Sequence, residues 1–121
     1  MEAAVRDLMA IALVLLGLSH IVWPARWARF FNRLRERGAP GARANALLHL
    51  MPGVLIVAFH NVWHGVPAIL TVYGWLLVIK ASIYLVHPPI GLRAMGMVRE
   101  DNPRSFVLVG VPMVVVGLLL M

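Results

Sequence analysis

Residues 66–86 read VPAILTVYGWLLVIKASIYLV, a run in which Lys80 is the only charged side chain. At about 1.5 Å of rise per residue, a helix of that length covers roughly 30 Å, the thickness of a bilayer's hydrocarbon core. This stretch therefore reads as a membrane-crossing helix. Immediately upstream, residues 44–63 read ANALLHLMPGVLIVAFHNVW and carry no Asp, Glu, Lys or Arg at all. Only His64 and Gly65 part the two runs, and so short a join predicts an antiparallel helical hairpin. Working outward, apolar stretches at about 8–23 and about 105–121 complete four spans. The first covers only about 24 Å by the same rise, so Trp23 and the arginines after it are expected to anchor it at the interface. The expected fold is all-α, a single integral membrane domain over residues 1–121 built as a four-helix bundle.

Between the first two spans, residues 24–37 follow a different rule. Trp27, Phe30, Phe31 and Leu34 recur at i, i+3, i+4, i+7, with Arg26, Arg29, Arg33 and Arg37 on the other side, which is the pattern of an amphipathic helix. Pro24 suits its first turn, and Gly38 with Pro40 beyond it stops it. A helix of this kind is expected to lie in the headgroup plane, with Trp27, Phe30 and Phe31 entering the acyl boundary and Arg26, Arg29 and Arg33 meeting anionic lipid. A solvated connector is the plainer reading. His87-Pro88-Pro89 ends the third span, residues 90–98 skim the interface, and Asn102-Pro103 resembles a capped helix start. Gly110 and Gly117 share one face of the fourth span, where a neighbouring helix can approach closely.

Composition agrees. Of 121 residues 61% are hydrophobic and 13% charged, with a mean hydropathy of +0.85, far from the balance of a soluble domain. The net charge of +6 is unevenly spread: six arginines fall between the first two spans and three (Arg93, Arg99, Arg104) between the last two. By the positive-inside rule both segments face the cytoplasm, which puts both termini and the hairpin tip outside it. The mixed-charge start Met-Glu-Ala-Ala-Val-Arg-Asp does not resemble a cleaved signal, so the first run is expected to stay as a span. Nucleic acid is the poorer reading of the charge and is not expected as a partner, because stacking aromatics and arginines are not interleaved outside the amphipathic segment, which a bilayer explains better. Cysteine is absent, which removes thiolate chemistry and disulfides.

Few residues remain to carry chemistry. Lys80, well inside a span, either snorkels to the headgroups, pairs within the bundle, or handles an anion or proton. Tyr73, Lys80, Tyr84 and His87 lie seven, four and three residues apart and share one helix face, expected to point into the bundle or a subunit contact. His49, Gly53, Ile56 and His60 form a comparable stripe on the second span, the two imidazoles being about 16 Å apart in depth and so unable to share a metal. His20, His49, Lys80 and His87 are expected to converge near the cytoplasmic side, where His20 and His49 resemble an axial haem pair. His60, Asn61 and His64 form a polar cluster at the outer tip, and His60 with His64 suits a metal only if the helix continues that far. Polar capping of helix ends is the plainer account of these imidazoles. No phosphate loop, nucleophile elbow, paired carboxylates or metalloprotease motif is present, so no catalytic residue and no metal site is expected.

The segment Phe59-His60-Asn61-Val62-Trp63-His64-Gly65-Val66-Pro67, followed by Gly74-Trp75 and Lys80, resembles small bacterial membrane proteins of four helices with no assigned function. That resemblance implies a bacterial inner-membrane setting and no residue roles. The expected function is a non-enzymatic accessory or assembly subunit of a larger membrane complex, in contact with anionic lipid and other subunits and without a cofactor. A homo-oligomeric transporter using Lys80 and a haem-bearing redox subunit are the alternatives.

Overall fold

The structure, a computed structural model, describes residues 1–96 and 104–121. Among the described residues there are six helices and no strand: α1 (Glu2–Val22), α2 (Pro24–Glu36), α3 (Ala39–Phe59), α4 (Pro67–Val86), α5 (Pro88–Met95) and α6 (Arg104–Leu120). Prolines mark most of the starts, since α2, α3, α4 and α5 each carry one in the first two positions, where the missing N–H leaves no partner unsatisfied. Gly38 at φ 69° and Gly65 at φ 68° make the turns before α3 and α4, a conformation open to glycine without strain. The expected start at Asn102-Pro103, and the end of the interfacial segment at Met97 and Val98, lie outside the described residues.

Three helices, α1, α3 and α4, are long and apolar enough to cross a membrane, whereas α6 is a shorter apolar helix of 17 residues. The bounds depart from expectation in three places. Helix α1 begins at Glu2 and has 21 residues, so it needs no anchors to make up its length. Helix α3 begins at Ala39 and stops at Phe59, because His60 leaves the helical backbone at φ −135° and ψ 79°. The join to α4 is therefore a seven-residue segment, 60–66, and not a two-residue turn. The third departure is α5, which is regular helix from Pro88 where only an interfacial skim was expected.

The helices associate as two antiparallel pairs, α1 with α6 and α3 with α4. Glycines set the first: a Cβ at Gly17 would lie 2.7 Å from the carbonyl oxygen of Gly110, and one at Gly117 would lie 2.8 Å from that of Ala10. The expected small-residue face of α6 is thus the face that meets α1. In the second pair, a Cβ at Gly53 would stand 2.9 Å from the Cβ of Leu77, while Gly74 faces Ile56. Val5, Met9, Ala10, Leu13 and Leu120 join Ile56 and Leu70 in one buried cluster, which ties the pairs together. Helices α2 and α5 touch each other and lie at the end where α1 and α4 finish. Both described basic segments therefore sit at one end of the helix array.

The aromatic face of α2 does not project freely. Trp27 stacks on His20 at 4.3 Å between ring centroids, and Phe31 stacks on Phe106 of α6 at 5.7 Å. Helix α2 is thereby packed against its own bundle by the residues expected to enter lipid. Phe30, 38% exposed, and the exposed arginines Arg26, Arg29 and Arg33 keep the outward position. The rings of His20 and Phe106 offer the α2 aromatics the same burial that lipid would, without needing a second phase.

Candidate functional site

One pocket brings together polar side chains from separate helices. Asn45 and His49 stand one turn apart on α3, and Lys80 and Tyr84 one turn apart on α4. Phe31, Ala94, Met95 and Phe106 complete the walls of a cavity of about 160 Å³. The glycine at 91 lets α5 approach closely, since a Cβ there would lie 3.2 Å from the Tyr84 ring. A larger open groove of about 340 Å³ beside Ser19, Trp23, Arg26, Trp27 and Phe30 is nearly all apolar at its surface; there the Arg26 guanidinium lies 5.5 Å from the centre of the Trp23 ring.

Hydrogen bonding within the smaller pocket is incomplete. His49 Nδ1 lies 2.8 Å from the backbone oxygen of Asn45, so Nδ1 carries the proton and Nε2 of the neutral ring is left as an acceptor. Asn45 is 3% exposed, and its Oδ1 is buried with no hydrogen-bond partner. A buried acceptor left unpaired destabilises a fold by about 1–3 kcal/mol. The Lys80 ammonium lies 5.6 Å from the centre of the Tyr84 ring, a cation–π contact, and the only ion pair among the described residues is the distant Arg6–Asp7. Two acceptors and one cation thus border the same small space.

Of the stripe Tyr73, Lys80, Tyr84 and His87, only Tyr84 is half-buried; the other three are exposed. The buried face of α4 is instead Leu70, Thr71, Gly74, Leu77 and Ala81, because the small residues Gly74 and Ala81 on that face leave room for α3 to come close, Ile56 seating against Gly74. His87 caps α4, its N–H donating to Ile83 O at 2.8 Å and its own carbonyl accepting from Ile90 N–H at 3.1 Å. The matching stripe of α3 is oriented as expected: Gly53, Ile56 and His60 are buried and His49 half-buried.

The expected convergence of four cationic or imidazole groups is only partial. His49 and Lys80 meet, whereas His20 belongs to the aromatic cluster, with its Nδ1 donating to Leu16 O at 2.6 Å and its ring between Trp27 and Phe106. The cavity that takes in His49 is lined by Asn45, Lys80 and Tyr84 and does not include His20. Nor does any group of three or more His, Asp or Glu among the described residues gather as a metal site would need.

At the opposite end, His60 is buried at 1% exposure while Asn61 and His64 are exposed. The helix has ended by Phe59, so His60 and His64 do not share a helical face. His60 Nε2 lies 3.1 Å from the carbonyl oxygen of Pro67, and Trp75 Nε1 donates to Asn61 Oδ1 at 3.5 Å. The organising residue here is Thr71, an intramembrane hydroxyl that the sequence suggests will bond its own helix backbone or a neighbouring helix; its Oγ1 instead donates to Val62 O at 2.6 Å and accepts from Val62 N–H at 3.0 Å, in the segment between α3 and α4. Asn45 is the residue that the sequence did not single out, although its place four residues before His49 puts it on the same stripe.

The Trp27 contacts are open to test. Trp27 Nε1 donates to Ser19 Oγ at 3.1 Å while its ring covers His20. Trp27→Ala is expected to destabilise the chain by about 2 kcal/mol, less than for a fully buried tryptophan, and to make 24–37 more susceptible to limited proteolysis in detergent. Unchanged cleavage would mean that the ring stack does not hold α2. Comparison of the chain with family models, curated proteins and solved structures finds no match in any of the three.

Proposed function

We propose that the chain is a multi-pass protein of a bacterial inner membrane and a non-enzymatic accessory or assembly subunit of a larger membrane complex. In this reading α1, α3, α4 and α6 cross the bilayer, the α2/α5 end faces the cytoplasm, and the termini lie on the other side. Its support is the small share of each long helix that its own chain covers: 28% of the most apolar window in α1, in α3 and in α4. The two helix pairs also leave a seam of about 130 Å³ lined by Leu13, Ile69, Leu70, Tyr73, Pro112, Met113 and Val116. A partner helix that inserts an apolar side chain there buries surface on both pairs at once. The described segments between helices are too short to form a soluble binding domain, so association has to run through helix faces. Blue-native electrophoresis of membranes solubilised in mild detergent is expected to show the chain in a band well above its own mass; migration only as a free monomer overturns the reading.

A second reading, a small homo-oligomeric carrier, is favoured by the cavity that Asn45, His49 and Lys80 share. It requires that Lys80→Met abolish anion or proton-coupled flux in proteoliposomes while insertion persists. A haem-bearing subunit, the third alternative, has only the separate placements of His20 and His49 to draw on.

A further inference from the structure

We propose that the pocket bordered by Asn45, His49, Lys80 and Tyr84 holds the headgroup of an anionic glycerophospholipid whose head carries hydroxyl groups. The proposal needs the helices to lie in a bilayer but does not depend on the accessory-subunit reading, which is tested by association and not by lipid retention.

Three unmet valences select the ligand. The Lys80 ammonium offers N–H donors and a positive charge, with no carboxylate paired to it among the described residues; it calls for an anionic oxygen. Asn45 is a residue of the cavity wall, and its Oδ1 is buried with no partner. His49 Nε2 is an acceptor because Nδ1 is committed to the Asn45 carbonyl. These two oxygen and nitrogen acceptors call for O–H or N–H donors. A phosphodiester bearing a glycerol head supplies both kinds of group from one molecule: its non-bridging oxygens face Lys80, and its hydroxyls donate to Asn45 and His49. A choline head has the same diester but no donor. Water alone satisfies the acceptors and leaves the ammonium without a counter-charge.

Inorganic phosphate shares the chemistry of the diester, so the source of the phosphoryl group has to be argued separately. Phe31, Met95 and Phe106 form the apolar part of the wall, which suits a ligand that continues into hydrocarbon and offers nothing to a free ion. The pocket also lies at the α2/α5 end, where the clustered arginines concentrate anionic lipid against the protein.

The test is native mass spectrometry of the purified, delipidated full chain titrated separately with phosphatidylglycerol, phosphatidylcholine and inorganic phosphate. One phosphatidylglycerol is expected to bind per chain, with phosphatidylcholine weaker by about five- to tenfold. Lys80→Met is expected to remove that preference, Lys80→Arg to keep it, and Asn45→Ala to weaken it. Equal binding of the two lipids by the wild-type chain overturns the proposal, and so does a Lys80→Met chain, shown folded by circular dichroism, that binds as the wild type does. Inorganic phosphate that displaces phosphatidylglycerol at equal concentration assigns the site to a soluble anion and overturns the lipid assignment. Should Lys80→Met fail to fold, the wild-type comparison between the two lipids decides alone.

Discussion

Gly110→Leu is expected to separate α6 from α1 and destabilise the chain by about 3 kcal/mol or more, at the upper end of what overpacking produces. A Cβ at that position would lie 2.6 Å from the Gly17 carbonyl oxygen and 2.9 Å from the His20 Cβ. Neither neighbour can rotate aside, because one is backbone and the other is fixed to it. Relief therefore requires the helix axes to move apart, which also loosens the fit of Gly117 against Ala10 and of Phe106 against His20. The effect is read from equilibrium unfolding in mixed micelles of ionic and non-ionic detergent, followed by tryptophan fluorescence. Leu118→Ala on the exposed side of α6 is the control, expected to stay within about 0.5 kcal/mol. A Gly110→Leu chain as stable as the wild type would mean that α1 and α6 are not in contact.

Thr71→Val is expected to destabilise by about 2–3 kcal/mol, although the two side chains have nearly the same shape. The hydroxyl that is lost donates to the Val62 carbonyl and accepts from the Val62 N–H, with the His60 carbonyl 3.2 Å away. All three are backbone groups of the non-helical segment after α3, and helix geometry gives them no other partner. Thr71→Ser keeps the oxygen and is expected to restore most of the stability. Hydrogen exchange at 60–66 supplies a local measure: faster exchange in the valine variant and near wild-type exchange in the serine variant. If valine leaves both stability and exchange unchanged, Thr71 is not what holds the hairpin end.

The long helices were legible because hydrophobic runs of that length have few alternatives, and the glycine face of α6 was legible because seven-residue spacing keeps Gly110 and Gly117 together. Boundaries were less so. Ala39-Pro40-Gly41-Ala42 lacks the bulk that marks a span, yet it is helical, since alanine favours helix and proline is tolerated in the first turn. Conversely, Val62 and Trp63 extend the apolar run past the point where the backbone turns at His60. Facing was the hardest property to read. When nearly every side of a helix is apolar, hydropathy does not say which side packs, and close approach by small residues decides it. Tyr73, Lys80 and His87 do share a face, but Gly74, Leu77 and Ala81 face α3. The periodicity of α2 established a helix with one aromatic side; whether that side met lipid or protein depended on His20, just before it, and on Phe106, far away in sequence. Asn45 lay in plain view, but only the fold shows that its oxygen has no partner and that His49 and Lys80 stand beside it.

The pairing of α1 with α6 has a consequence for biosynthesis. Helices α3 and α4 are joined by a short segment and can dock as soon as both have left the ribosome, at little entropic penalty. Helix α1 emerges before either of them, but its glycine-bearing side gains its counterpart only when α6 is made. Until then that side is held open in the nascent chain. A newly made α6 from a neighbouring polypeptide presents the same surface, so slow elongation or high local expression favours exchange of helices between copies over closure within one.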